Sequence, residues 1–431
     1  MAGKKIQANS LHSGCSLNRR SSTRQDQTPS WWCLTLCGLL EQPIEKLESR
    51  GILENERRPD MTSLFLPCRS TMLPIVLAGV GFLVQSALAQ KPDFNAVPTF
   101  EKHVALIQKG ISLHDEGDYD GAIKAYRQVL DENPDDISAL YELAFTYFKK
   151  KDYTNCIRTA KSGTEYFSEL LARFYVVWGS CLDESGKPKK AVKIYRSALQ
   201  QSPTDHLLHY NLAVTYKNLE KSKEAVRHFK KAIDNDPNHA GSHFGLAEQY
   251  VAQGQRIPAL LAFARFLILE PDSPRSGGAL QSLHQFLAGQ TAQDGGNNIT
   301  IFLNPDANND EGDFLAAEMV LSVTVAAEHL PESNDQTPLE KTLDRFGSLF
   351  TVLSSIDAKQ EQRGFAWDHY VPYFAELEDF SFTEPFVYHT HQIVAWDGVG
   401  EWIDANGEQM EKFLNWSRSY REWPVAAGPE R

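Results

Sequence analysis

The sequence is short of the residues that mark a disulfide scaffold, a metal protein or a membrane span. It holds six cysteines in 431 residues, and four of them (Cys15, Cys33, Cys37, Cys68) fall before residue 90. Cys33 and Cys37 stand four apart with no second pair and no histidine cluster beside them, so neither a zinc site nor a disulfide framework is indicated. The remaining two, Cys156 and Cys181, fall at small-residue positions and read as buried free thiols. A disulfide between them is the alternative in an oxidising compartment. No apolar run reaches the roughly 20 residues of a membrane helix. P-loop, dinucleotide fingerprint, nucleophile elbow and HExxH motifs are all missing. No catalytic residue, metal ligand or cofactor is therefore assigned, and the chain reads as a binding protein rather than an enzyme. Positive charge is scarce as well. A net charge of −13 disfavours nucleic acid, whose recognition rests on neutralising phosphates.

What is present is unevenly spread. Residues 1–89 carry 10 basic and 7 acidic side chains, whereas Asn297–Arg431 carries 24 acidic and 8 basic ones. The stretch between is neutral, so the excess negative charge sits in the C-terminal third. Met72–Val84 is an apolar run preceded by Arg69 and followed by Ser86-Ala87-Leu88-Ala89, with small residues at the −3 and −1 positions before Gln90. Basic start, short apolar core and small-residue cleavage site are the parts of a secretory signal peptide. The expectation is a signal peptide over 61–89, cleaved between Ala89 and Gln90, and an exported chain, periplasmic or secreted. Membrane contact would come only through this segment if it stayed uncleaved. Residues 1–60 show no sustained period and are read as disordered or as an over-extended gene start, with residues 90–102 as a linker.

Self-similarity dominates residues 103–290. A 34-residue frame laid on His103 puts Gly110, Leu113, Gly117, Tyr119, Ala122, Tyr126 and Pro134 on positions 8, 11, 15, 17, 20, 24 and 32. It recurs from Ile137, where Ser168 replaces the closing proline, and after a one-residue slip from Ala172. Further copies start at His206 and Ala240. Small residues at positions 8 and 20 let two helices cross closely, large apolar ones fill the space beside them, and proline ends the second helix. Each helix pair leaves an apolar face uncovered, so neighbours must stack. The pattern resembles the tetratricopeptide repeat superfamily, and the whole plan looks like exported bacterial members of unassigned function. The fold class expected is all-α: a solenoid of five helical hairpins, a capping helix over Gly278–Gly289, and a mainly helical domain over 291–431.

That resemblance implies a concave face lined by positions 2, 5, 9, 12 and 13 of each first helix. Here those positions include Val104, Ile107, Ile111, Tyr141, Phe145, Phe148, Val176, Leu207, Tyr210, Val214, Phe244 and Val251. Ile107 and Ile111 stand where members that clamp C-terminal carboxylates need polar side chains, so that mode is excluded. The implied partner is a protein or peptide, held by an apolar helix or strand in the groove. A groove covered by the chain's own C-terminal domain is the alternative; Gly277-Gly278 and 290–298 read as flexible joints and favour an open groove. An envelope enzyme or assembly factor seated in the C-terminal domain is the competing function.

In the C-terminal third, residues 298–303 suggest a short strand. Helices are expected over Phe314–Leu330, from Thr337-Pro338, over Phe365–Leu377 and over Met410–Tyr420. Their core is aromatic: Trp367, Tyr370, Tyr373, Phe374, Phe386, Tyr388, Trp396, Trp402, Phe413 and Trp416. Asp306-x-Asn308-x-Asp310 starts like a calcium loop, but Glu311 and Ala317 stand where a glycine and a bidentate glutamate are needed. His389-x-His391 would share a face only on a strand and has no third ligand. Two glycosylation sequons, at Asn298 and Asn415, carry weight only in a eukaryotic secretory route.

Overall fold

The first turn of four of the ten hairpin helices is fixed by a single residue type. Asp118, Asp136, Asp152 and Asp205 each accept a hydrogen bond from the backbone N–H three residues on, capping a helix start. The structure, a computed structural model, describes residues 92–289, 291–293, 299–301, 309–329, 335–356, 363–394, 396–420 and 423. The signal segment with Ala89 and Gln90, residues 1–60, most of 290–298, Asp306 and Asn308 lie outside them. Among the described residues no helix is long and apolar enough to cross a membrane.

Five helical hairpins follow one another. They are α1 (Glu101–Asp115) with α2 (Tyr119–Glu132), α3 (Ile137–Lys149) with α4 (Tyr153–Gly163), and α5 (Leu171–Glu184) with α6 (Pro188–Ala198). The fourth and fifth are α7 (His206–Asn218) with α8 (Ser222–Asn235) and α9 (Ala240–Ala252) with α10 (Arg256–Leu269). Helix α11 (Ser276–Leu287) packs on α10 and closes the array, so Gly277 and Gly278 lie in a first helical turn and are no joint. The glycines at position 8 are required by the rings at position 24: a Cβ on Gly110 would stand 2.5 Å from the Tyr126 ring, and Gly179 is backed in the same way by Tyr195.

The turn inside every hairpin is left-handed at position 15. Gly117, Gly186 and Gly254 hold it at φ 84°, 77° and 72°, and in the second and fourth hairpins Lys151 and Glu220 hold it at 64° and 57°. A side chain in this region costs roughly 1 kcal/mol or more that glycine does not. Lys151→Gly and Glu220→Gly should therefore each raise the thermal midpoint, by an amount reflecting about 0.5–1 kcal/mol, while Gly186→Ala should lower it. Calorimetry on the three variants reads the sign directly.

The slipped, proline-less join after the second hairpin has a structural counterpart. Tyr166–Phe167 (β2) leave the helical path and pair in parallel with Phe94–Asn95 (β1). Val97 makes a further bridge to Asp136. The described part of the segment read as a linker is thus fastened to the solenoid, and α1 starts two residues ahead of the repeat frame. Cys156 and Cys181 also meet here: they are joined as a disulfide between α4 and α5, with Cα atoms 6.4 Å apart. The free-thiol reading was wrong because helical spacing within each repeat does not show which second helix abuts which following first helix.

Beyond the array run a two-stranded antiparallel ribbon, β3 (Thr291–Gln293) and β4 (Ile299–Ile301), then α12 (Leu315–Ala327) and α13 (Pro338–Ile356). After them come α14 (Phe365–Asp379), α15 (Thr383–Thr390), α16 (Val399–Ala405) and α17 (Gly407–Ser419). Trp367, Tyr370, Tyr373, Phe374, Phe386 and Phe413 are fully buried, while Trp396, Trp402 and Trp416 are half-buried around them. These rings join one apolar core with the last three hairpins, and the first two hairpins form a second core.

Candidate functional site

The concave positions fall on the exposed flank of α1, α3, α5, α7 and α9. Ile111, Tyr141, Phe145, Phe148, Val176, Leu207, Tyr210, Val214 and Phe244 are half-buried, and Val104 and Val251 are exposed. Ile107 departs from the expectation. It is buried in the core of the first two hairpins, packed among α1–α4, and offers nothing to a ligand.

The rings on this face form two groups. In the first, Tyr141 stacks on Phe145 at 6.3 Å and 5°, Phe145 stacks on His114 at 5.3 Å, and Phe148 lies 6.5 Å from Phe145. The Lys149 ammonium sits 5.2 Å over the Phe145 ring. In the second, Tyr210 meets the edge of His239 at 4.7 Å, and Phe244 packs on Phe263 and Phe266 beneath the Arg275 guanidinium. Between them the third hairpin supplies Val176 and a polar waist. There Asp183 accepts from the Thr215 hydroxyl at 2.8 Å, and Ser180 donates to Asn211. A single apolar strip along the whole face is thus interrupted, because repeat three carries Ser180 where its neighbours carry Phe145 and Val214, and Asp183 where they carry Phe148 and Lys217.

Carboxylates gather at the first group. Glu142, half-buried on α3, is pushed up to about 7 by burial and by the nearby Asp115, against the pull of Arg173. The Arg173 charge also acts on the Tyr141 hydroxyl, opposing the upward push that burial gives that phenol. Among the described residues neither Asp115 nor Glu142 has an ion-pair partner. In the fourth and fifth hairpins the charges are already matched, with Lys217 2.8 Å from Glu248.

The C-terminal helices dock elsewhere, on α10 and the end of the array. Arg265, fully buried on α10, donates to Tyr373 Oη at 3.0 Å, Ser417 Oγ at 2.8 Å and Asn238 Oδ1 at 2.7 Å. Its guanidinium lies 4.7 Å and 5.0 Å from the Tyr373 and Trp423 ring centres. Glu311 accepts from Lys230, from the Tyr250 hydroxyl at 2.9 Å and from the Ala366 N–H at 2.9 Å. The residue that spoils the calcium loop is therefore a docking clamp. His243 Nε2–H donates to the Pro237 carbonyl, which leaves Nδ1 to accept from the Tyr370 hydroxyl at 2.8 Å. Burial holds His369 down at about 3 and His391 at about 4, so these two imidazoles are neutral at physiological pH. No hydrogen bond or ring contact among the described residues links a concave side chain to a residue beyond 290.

His389 and His391 lie on and just after helix α15 and diverge. His389 donates to the Ile268 carbonyl at 3.0 Å, while His391 donates to Val387 and faces His284 at 2.8 Å. Among the described residues no group of three or more possible metal ligands occurs. The second sequon is unusable as folded, since its Ser417 hydroxyl is buried under Arg265 and Tyr373.

Sequence reading missed Arg265, Glu311 and Glu142. A signal for the first existed: α10 reads Arg-Ile-Pro-Ala-Leu-Leu-Ala-Phe-Ala-Arg-Phe-Leu-Ile-Leu and is apolar all round, which asks for cover on every side. Glu142 stands at position 6, outside the five positions taken as concave.

Family models described as TPR repeat and Tetratricopeptide repeat match residues 110–151 and 206–239. No curated protein matches the chain. Among solved structures the chain is similar to TTC0263, a thermophilic TPR protein of Thermus thermophilus. The identity is 23%, over 43% of this chain and 98% of that one, with a TM-score of 0.36. It is also similar to MamA from Desulfovibrio magneticus, at 17% identity over 40% and 97% of the two chains and a TM-score of 0.33. YrrB, described as a TPR protein with an unusual peptide-binding site, is 19% identical over 43% and 93%, with a TM-score of 0.31.

Proposed function

We propose that this chain, a tetratricopeptide-repeat protein, is an exported interaction module that holds an apolar peptide or helix on the concave face of its repeats. One observation carries the reading. The aromatic and aliphatic side chains of that face stay partly open to solvent, while the C-terminal helices pack on one another and on α10. An apolar surface left open in a folded protein favours a partner that covers it. Export is supported by the signal-like segment before Gln90 and by the Cys156–Cys181 disulfide, a bond that persists in oxidising compartments.

Protein recovered from its native host should begin at Gln90, and peptide mapping without reductant should yield Cys156 and Cys181 linked. Finding residues 1–60 on the recovered protein would end the export reading. For the groove, tagged residues 90–431 should retain a partner from the host's envelope fraction. Phe145→Ser and Phe244→Ser should release it with the fold intact by circular dichroism. Retention by both variants would place the binding surface elsewhere.

A further inference from the structure

The concave face carries a charge imbalance at one end, and the imbalance says what else a groove ligand must bring. This step rests on the groove reading. In the first three hairpins the face presents Asp115, Glu142, Asp183 and Glu184 against Lys149 and Arg173. Lys149 lies over the Phe145 ring, and the Arg173 charge is shared between Glu142 and the Tyr141 hydroxyl. Among the described residues Asp183 accepts hydrogen bonds from the neutral donors Thr215 and Asn218 and has no ion-pair partner. The Glu142 charge acts on the Tyr141 phenol, whose ring is stacked flat on Phe145. A half-buried carboxylate beside a stacked aromatic pair is a receptor for a long cationic side chain. Its methylene stem lies along the rings while its charged head reaches the carboxylate.

We propose that the groove ligand carries a lysine or arginine next to its apolar anchors, and that Glu142 receives the cationic head with Asp115 supporting it. An acidic ligand is disfavoured at this end, since it would add negative charge to a patch with four carboxylates against two cations. The groups facing Glu142 are Asp115 on α1, Tyr141 on its own helix and Arg173 on α5. Burial and Asp115 keep its proton on to about 7, and Arg173 works against them. Only the ionised form attracts a cation, so affinity for a cationic ligand rises as pH climbs through that value.

The probe is a display library of random short peptides selected on residues 90–431. Selected peptides should share a Lys or Arg flanked by apolar residues. Replacing that cation with norleucine should weaken binding about tenfold at pH near 8, equivalent to ~1.4 kcal/mol. Affinity of the parent peptides should increase from about pH 6 to about pH 8. Glu142→Gln should flatten that rise and erase the preference for the cation over norleucine, while norleucine peptides bind both proteins equally, which shows the groove is intact. Asp115→Asn should give a weaker version of the same change.

Peptides that bind, lose binding to Phe145→Ser, and show no cation preference would overturn this inference and leave the groove reading standing. A cation preference untouched by Glu142→Gln would also overturn it. Selection of no peptide at all, or of peptides indifferent to Phe145→Ser, would overturn both.

Discussion

Ending the chain at Gly289 should produce a solenoid that aggregates or melts far below the full protein. The reason lies in α10. Every residue from Ile257 to Ile268 on it is buried, including Leu260, Leu261, Phe266 and Leu267. The second helix of an ordinary repeat sheds one face to water, as α8 does with Lys223, Arg227 and Lys231 on its open side. Helices α9 and α11 cover part of α10, and α14 and α15 cover the stripe that holds Arg265 and Ile268. Uncovering three or four large apolar side chains forfeits about 1.5–3 kcal/mol apiece. The sum is comparable to the roughly 5–15 kcal/mol by which a whole domain is stable. Size-exclusion chromatography and calorimetry on 92–289 beside 92–420 would read the difference. A monomeric fragment with an unchanged midpoint would show that α10 does not depend on the C-terminal helices. For the same reason truncation is no test of the groove, because dye binding by the fragment would report α10 instead. Point changes such as Phe145→Ser are the appropriate instrument.

The repeats are legible in the sequence because their determinants are local. Position 8 must be small where position 24 is a ring, and Gly110 with Tyr126 or Gly179 with Tyr195 state that rule within one repeat. The left-handed turn at position 15 is written as glycine in three repeats, yet Lys151 and Glu220 adopt it too. There the hairpin imposes a conformation that the side chain opposes. What the sequence does not show is long-range. Glu311 is separated from Lys230 by 81 residues, and Arg265 from Ser417 by 152. No period links such residues, and a lone glutamate after Asp310 reads equally well as a failed calcium loop. The groove is intermediate. The face of each first helix follows from spacing, but the closure of Ile107 and the polar waist at Ser180 and Asp183 depend on how neighbouring hairpins turn against each other.

Glu311→Ala should undock the C-terminal helices at a cost of about 3–5 kcal/mol, in the range seen when one member of a buried ion pair is removed. The carboxylate has three partners with unequal alternatives. Lys230 is half-buried and can turn toward solvent. The Tyr250 hydroxyl and the Ala366 N–H cannot, because both lie in the core between α9 and the start of α14. Each left without an acceptor costs about 1–3 kcal/mol, and that asymmetry predicts a graded response. Both buried bonds reach the same oxygen, Oε2, so Glu311→Gln can keep them through its amide oxygen, loses the charge and the Lys230 bond, and should fall between the parent and the alanine variant. Lys230→Met removes only the partner that can reach water and should have the smallest effect. Amide exchange in α14 beside that in α3 separates undocking from general loss of fold. Faster exchange confined to α14 and its neighbours, ordered alanine above glutamine above methionine, is the expected pattern. Equal effects from Lys230→Met and Glu311→Ala would mean that the ion pair, and not the two buried donors, holds the C-terminal helices to the solenoid.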